Sequence, residues 1–176
     1  MSAFLKRAVP LAAAATLLAA AATAMHVQAG AAQKPAASPR SDAQSIERGR
    51  YLARIAGCND CHTPGYAHSG GKVDEKDWLT GDSVGWQGAW GTTYPSNLRL
   101  ALAKMTENDW VRVAKTAQYR PPMPWFALHD MTEGDLRAIY RYVRHLGPAG
   151  QPAPAYLPPG QAAKGPVVAF PAPPKH

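Results

Sequence analysis

Two cysteines and a histidine that stand close together are the residues of this sequence best suited to chemistry. They belong to the pentapeptide Cys58-Asn59-Asp60-Cys61-His62, a C-x-x-C-H pattern. Two thiols at this spacing can each add to one vinyl group of the same porphyrin, and the histidine that follows can bind its iron. The pattern predicts one covalently attached haem c, with Cys58 and Cys61 as thioether donors and His62 as the proximal axial ligand.

A redox pair, a zinc site or chance would account for the same residues less well. A thioredoxin-like redox pair would need a βαβ setting, which the sequence around the motif does not predict. A zinc site would need more cysteines or several well-placed histidines, and the chain contains only these two cysteines. Chance would produce the pattern in roughly one chain of this length in a thousand. The sequence therefore favours haem.

A second ligand is needed to close the other face of the iron if the protein only transfers electrons. Met123 is the best candidate, because the prolines of Pro121-Pro122-Met123-Pro124-Trp125 restrict the backbone and hold the thioether on a stiff loop. Imidazole and thioether ligation together favour the ferrous state. The remaining candidates for the distal ligand are Met131, Met105, His129 and His68. A site closed on both faces argues for electron transfer and against an enzyme.

Cap residues and apolar spacing predict the helices that would position these groups. A capping box at Ser41 and Gln44 begins a helix over about residues 42–56, directly before the motif. Gly49 within that helix indicates that another element packs closely there. A short helix is expected near 98–103, and Thr106 and Thr132 cap two more, the last ending before Gly147.

Two long segments lack any persistent apolar period. Residues 63–91 read as a Trp/Gly-rich loop, whose Trp78, Trp86 and Trp90 either cover the cofactor or serve only for packing. Residues 148–176 contain nine prolines and are expected to form an extended tail rather than a second domain. Within this tail, Tyr156, Leu157 and the patch at 167–170 are candidates to lie against the domain.

The beginning of the chain reads as an export signal. Residues 1–29 combine Lys6 and Arg7 with an apolar run and a small-residue cleavage site at Ala29, with Ala24 as the second choice. Residues 30–40 are expected to be a disordered lead-in, and residues 41–147 the folded domain. A periplasmic location follows, with membrane attachment expected only if the signal segment stays uncleaved.

Composition narrows the possible partners. The formal net charge falls from +7 to +5 when Lys6 and Arg7 leave with the signal segment. This modest excess could steer the protein toward acidic partner surfaces, or could simply keep it soluble. An exported chain without a dense basic run is a poor candidate for binding nucleic acid. Redox proteins are therefore the partners to expect.

Over residues 45–147 the chain resembles the class I mono-haem c-type cytochromes, more narrowly the bacterial periplasmic cytochromes c that partner dehydrogenases. The resemblance rests on the motif at 58–62, the stretch at 94–98, Met123-Pro124-Trp125 and the final helix at 135–146. It implies an all-α cytochrome c fold, in which three to five helices surround one covalently bound haem with His62 and Met123 as its axial ligands. The first helix would cross the last, with Gly49 facing Ile139 or Tyr140.

One departure from the family leaves the support of His62 open. Family members commonly carry a proline about a dozen residues after the ligand histidine, and its carbonyl orients the imidazole. Here the only early proline is Pro64, two residues on. The resemblance therefore does not identify the carbonyl that orients His62.

The resulting hypothesis is a periplasmic one-electron carrier. It would pass electrons from a dehydrogenase or quinol-oxidising complex to a terminal oxidase or reductase. The alternatives are a haem c electron-transfer subunit held in a periplasmic dehydrogenase complex, and a haem enzyme or gas sensor with a labile distal ligand.

Overall fold

The computed structural model describes residues 41–171, which belong to one compact unit. The predicted signal peptide at 1–29 and the lead-in at 30–40 lie outside the described residues, as does the end of the tail at 172–176. Within 41–171, none of the helices is both long and apolar enough to cross a bilayer.

The described part of the chain is mainly helical. Its helices are α1 (Asp42–Ile55), α2 (Cys58–His62), α3 (Leu98–Ala103), α4 (Glu107–Thr116), α5 (Trp125–Asp130) and α6 (Glu133–Leu146), with a 3-10 turn at Glu75–Asp77. Its strands are β1 (Gly85–Gly88), β2 (Gly91–Thr93) and β3 (Val167–Ala169). The helices predicted from the sequence, α1, α3, α4 and α6, are confirmed. Helix α5 was not predicted, because no side-chain cap marks its start after Pro124.

The predicted caps account for the positions at which the helices begin. Ser41 and Gln44 form the capping box of α1, in which each side chain bonds the backbone of the other residue. The side chains of Thr106 and Thr132 accept backbone N–H groups at the starts of α4 and α6, and Asn97 does the same for α3. Side chains thus satisfy donors that have no partner within the helix.

Helices α1 and α6 cross at Gly49, as predicted. A Cβ atom at Gly49 would lie 2.0 Å from the carbonyl oxygen of Ala138 and 2.6 Å from Cβ of Tyr142. The facing residues are therefore Ala138 and Tyr142, one turn apart on α6, and the expectation of Ile139 or Tyr140 is wrong. Tyr140 lies on another side of α6, where its hydroxyl donates to the Met105 carbonyl, and Ile139 is buried in the core.

Helix α6 is the centre of the hydrophobic core. It contributes Leu136, Ile139, Tyr142 and Val143, all at most 3% exposed. Burial of one such aliphatic side chain stabilises a fold by about 1.5–3 kcal/mol. Around α6 pack residues from α1, the 63–91 loop, α3, α4 and α5, namely Leu52, Ala53, Trp78, Leu79, Leu102, Trp110, Val111, Ala114 and Leu128.

A small sheet corrects the expectation of an all-α fold. Strand β1 pairs with β2 in antiparallel fashion and with β3 in parallel fashion, giving the order β2-β1-β3. Strand β1 lies in the loop at 63–91 that was expected to have no regular structure, β2 begins at the last residue of that loop, and β3 comes from the tail. Strands of three or four residues are too short to show an alternating pattern, and this explains the wrong prediction. The fold is mostly helical with a three-stranded sheet, and a cytochrome c fold remains a prediction.

Candidate haem site

The C-x-x-C-H motif forms the short helix α2, which follows directly after α1. Gly57 joins the two helices with a positive φ of 73°, a left-handed conformation that glycine adopts without strain. Because Cys58, Cys61 and His62 stand at positions i, i+3 and i+4, they share one side of this helical turn. Both thiols and the imidazole therefore occupy one small region of the surface of α2.

His62 is oriented by a carbonyl that the sequence left open. Its Nδ1 lies 2.7 Å from the backbone oxygen of Ser96, to which the N–H donates. Burial lowers the pKa of His62, outweighing the opposite effect of the Ser96 carbonyl, so the imidazole is neutral at pH 7. A neutral ring that donates from Nδ1 keeps the lone pair of Nε2 for a metal. Ser96, and not Pro64, is the residue that orients the candidate ligand.

The two cysteines are free thiols. Burial raises the pKa of the Cys58 thiol to about 11, and burial together with Asp60 and Asp82 raises that of Cys61. A disulfide-exchange pair instead needs a lowered thiol pKa, so this environment does not favour a redox pair. Within the described range, groups of three or more His, Cys, Asp or Glu side chains that could hold a metal ion do not occur, and a zinc site gains no support.

Two buried polar residues of the motif region, Asn59 and Thr63, connect α2 to the following loop, and the sequence alone did not single them out. The Thr63 hydroxyl donates to Oδ1 of Asn59 and accepts the N–H of Leu79, both at 2.8 Å. The N–H of Gly81 donates to the carbonyl of His62 at 2.8 Å. The position of Asn59 and Thr63 beside the motif is the one feature of the sequence that could have indicated this connecting role. Nothing in the local sequence reveals that Thr63 bonds Leu79, 16 residues away.

Met123 lies where its loop meets the core. Its side chain is partly buried and packs against the core cluster. The loop is linked to β2, because the Thr93 hydroxyl donates to the carbonyl of Pro121 at 2.7 Å. Residues 93–96 thus contact the Met123 loop at one end and His62 at the other. Ligation by Met123 stays a prediction.

The other candidate distal ligands are placed differently. His68 is exposed, and Nε2 of His129 donates to the Ala117 carbonyl at 3.0 Å while its ring packs on Trp125. Met131 packs against the core, and Met105 is half-buried. Met131 packs against the core as Met123 does, so the choice between the candidate distal ligands stays a prediction.

The tryptophans of the 63–91 loop make packing contacts, and a role in covering the cofactor stays a prediction. Trp78 is buried, and its indole N–H donates to the Val73 carbonyl at 2.9 Å. The indole N–H of Trp90 donates to the Trp86 carbonyl at 3.3 Å. Both Trp86 and Trp90 pack against Phe170 of the tail. The loop is therefore held by its own side chains and by the tail.

These residues fit a covalently bound haem c. The chain supplies two free thiols and a neutral, oriented imidazole on one turn, which is the donor set that haem c requires. One buried donor of the motif, Nδ2 of Asn59, has no hydrogen-bond partner among the described residues. Buried donors normally have a hydrogen-bond partner. An acceptor from outside the chain would therefore fit at Nδ2 of Asn59.

Comparison with known proteins identifies relatives of one kind. The chain is 28% identical over 131 residues to the "Alcohol dehydrogenase (quinone), cytochrome c subunit" of Gluconacetobacter polyoxogenes, and equally to the protein of the same name from Komagataeibacter europaeus. The matches cover 66% of this chain, which spans about 25% of the length of these relatives. No family model matches the chain. No solved structure matches it either.

The similarity to these relatives and the C-x-x-C-H motif support the same kind of protein, a cytochrome c. Both relatives are named as cytochrome c subunits, and haem c is the cofactor that this name implies. Membership of the mono-haem class I group, and the number of haems, stay predictions. The comparisons support a cytochrome c family for this chain.

Proposed function

We propose that this chain is an electron-transfer cytochrome c that works as the haem-carrying component of a periplasmic dehydrogenase complex. Haem c, when bound, supplies a one-electron redox couple. The thiols of Cys58 and Cys61 would hold it as thioethers, and Nε2 of His62 and the thioether of Met123 would be its axial ligands. One haem per chain and export through residues 1–29 are part of the proposal.

The single observation that carries the proposal is the state of His62. The hydrogen bond to Ser96 fixes the ring, and its neutral form leaves Nε2 as a ligand atom beside two free thiols. Backbone bonds from Gly81 and buried contacts of Thr63 hold the same turn in place. A rigid ligand set keeps structural change small when an electron arrives or leaves, and this favours transfer over catalysis.

A dehydrogenase partner is proposed from the names of the relatives, which are subunits of a quinone-dependent alcohol dehydrogenase. These names favour the role of a subunit in a complex over that of a free carrier. The positive net charge would favour a partner with an acidic surface.

Haem attachment can be tested by producing the full chain together with bacterial haem-ligation machinery. We expect the mass of the denatured wild type to exceed that of the polypeptide by one haem, and the Cys58→Ala/Cys61→Ala variant to have the bare mass. A colourless wild type of bare mass would refute the proposal.

The distal ligand can be tested on the same material. Met123→Ala should abolish the near-infrared absorption band of thioether-ligated ferric iron and lower the reduction potential, because soft sulfur favours the ferrous state. Met105→Ala and Met131→Ala are the matched controls and should keep the band. Loss of the band in a control, with retention in Met123→Ala, would move the ligand role to that methionine.

The partner can be tested by purification from the native host. For a subunit we expect a stoichiometric complex with a dehydrogenase whose substrate reduces the haem. Recovery as a monomer that accepts electrons from a separate dehydrogenase would instead establish the free carrier.

A further inference from the structure

The segment after α6 runs back over the parts of the chain that carry the candidate ligands. Near its start, Nδ2 of Asn97 donates to the carbonyls of Ala149 and Gln151, at 2.8 and 3.1 Å. Asn97 follows Ser96, whose carbonyl accepts the His62 imidazole, and it is buried. The first tail contact therefore lies one residue from the support of the proximal ligand.

The second tail contact reaches the loop of the proposed distal ligand. The guanidinium of Arg120 lies 3.8 Å from the ring centre of Tyr156, a close cation–π contact. The carbonyl of Arg120 accepts the N–H of Met123 at 3.3 Å. The hydroxyl of Tyr156 donates to the Trp90 carbonyl at 2.8 Å, which ties the same tail residue to the β1–β2 hairpin.

The rest of the tail anchors these contacts to the sheet. Leu157 exchanges two backbone hydrogen bonds with Thr92, at 2.8 and 3.0 Å. A Cβ atom at Gly91 would lie only 2.2 Å from the Leu157 carbonyl oxygen, so the two backbones are in close contact. Further on, β3 pairs with β1, and the ring of Phe170 packs 5.2 Å from that of Trp90. The described tail is thus held along much of its length.

We infer that the described part of the tail, residues 148–171, is a brace that positions both ligand-bearing segments, with Tyr156 as the positioning residue for the Met123 loop. The inference rests on the proposed ligation by Met123. A loop that is already held loses little conformational freedom when its ligand binds. Without the brace, the loop would populate conformations in which Met123 is displaced, and an external ligand would compete more easily.

Tyr156 offers a graded pair of variants in the full-length, haem-loaded chain. Tyr156→Ala removes both the cation–π contact and the hydroxyl, whereas Tyr156→Phe keeps the ring for Arg120. The measurement is the titration of the ferric protein with imidazole, followed by loss of the near-infrared thioether band. We expect Tyr156→Ala to bind imidazole roughly tenfold more tightly than the wild type and Tyr156→Phe roughly threefold more tightly.

The matched control is Tyr51→Ala. Tyr51 is an exposed tyrosine on α1 that also has an arginine, Arg48, over its ring at 5.5 Å. We expect this variant to bind imidazole as the wild type does. Arg120→Ala should bind imidazole more tightly than the wild type but less tightly than Tyr156→Ala, because it removes only the cation–π contact and leaves the hydroxyl bond to Trp90. The double variant should match Tyr156→Ala, which already lacks both contacts.

The titrations distinguish a failure of the brace from a failure of the proposed ligation by Met123. Wild-type imidazole affinity in Tyr156→Ala and Arg120→Ala, in a protein whose band disappears in Met123→Ala, would overturn the brace and leave the ligation intact. A band that persists in Met123→Ala would overturn the ligation and the brace together. If Tyr156→Ala does not fold, Tyr156→Phe and Arg120→Ala decide the matter by the same titration.

Discussion

At the scale of single residues, the site depends on polar groups that satisfy one another in the interior. His62 and Thr63 follow each other in the chain, and each bonds a different distant segment, through Ser96 and Leu79 respectively. Inside a protein such bonds are costly to leave unmade, by about 1–3 kcal/mol for each orphaned group. The turn that carries the candidate ligands is therefore fixed from two sides.

Gly49→Ala tests the closest approach in the helical core. Its new methyl group would meet the Ala138 carbonyl oxygen at 2.0 Å, and backbone on both sides cannot yield easily. We expect the free energy of unfolding to fall by about 2–3 kcal/mol. Denaturant unfolding of the haem-loaded protein, followed by helical circular dichroism, measures this change.

The control for this prediction is Gly134→Ala in the first turn of α6. The nearest atom to its new methyl group would be Oγ1 of Thr132 at 3.9 Å, an ordinary contact. The better helix propensity of alanine should leave stability unchanged or raise it by up to about 1 kcal/mol. Equal effects of the two substitutions would show that the α1–α6 contact is not the cause.

At the scale of elements, charged side chains join α4 to α6. Glu107 accepts hydrogen bonds from Arg137 and from Arg141 at 3.1 Å each. Burial by itself would raise the pKa of Glu107, but the two guanidinium groups outweigh it and hold that pKa below its usual range. The carboxylate is therefore more favourable in the folded chain than in the unfolded one.

Glu107→Gln should lower the free energy of unfolding by about 1 kcal/mol at pH 7. As the pH falls, the unfolded chain takes up the proton first, because its pKa is the higher one. The extra unfolding free energy of the wild type over Glu107→Gln should thus be complete above about pH 5. It should disappear as the pH falls through the lowered pKa of Glu107 in the folded chain. Urea unfolding of both proteins at several pH values measures the difference.

Glu47→Gln, at an exposed position on α1, serves as the control. We expect the unfolding free energies of this variant and the wild type to agree within about 0.5 kcal/mol at every pH. A Glu107→Gln effect that stays constant down to acid pH would contradict a stabilisation that depends on charge.

At the scale of the whole molecule, Arg99 joins three segments that lie far apart in the sequence. It stands on α3, is only 6% exposed, and its guanidinium donates to the carbonyls of Lys76, Leu146 and Gly147. The carbonyls at the end of α6 have no partner within the helix, and a cation there is favourable. Arg99 thus connects the loop, α3 and the end of α6.

Arg99→Lys should destabilise the molecule by about 2 kcal/mol, because an ammonium group cannot reproduce the planar set of donors that reaches three carbonyls. The midpoint of denaturant unfolding measures the loss. Arg112→Lys is the matched control, since this side chain is 68% exposed and bonds Asp109 alone among the residues that the structure describes. A loss of the same size in the control would contradict the role assigned to Arg99.

The features that the sequence alone determined are each encoded in a short stretch of a few residues. The capping residues Ser41, Thr106 and Thr132 predicted where helices begin, because a cap bonds only two or three positions onward. The C-x-x-C-H spacing predicted haem chemistry, because one helical turn contains all three donors. The close approach at Gly49 was likewise visible as a residue that is unfavourable in a helix.

Only the tertiary structure decided which distant segments meet. Ser96, which orients His62, is 34 residues away, and no local pattern identifies it as the partner. The sheet unites β1 and β2 with β3 from the tail, and strands this short have no periodicity to reveal them. Hydrogen bonds between distant segments depend on how the whole chain packs, so the supports of both candidate ligands emerged only in the folded molecule.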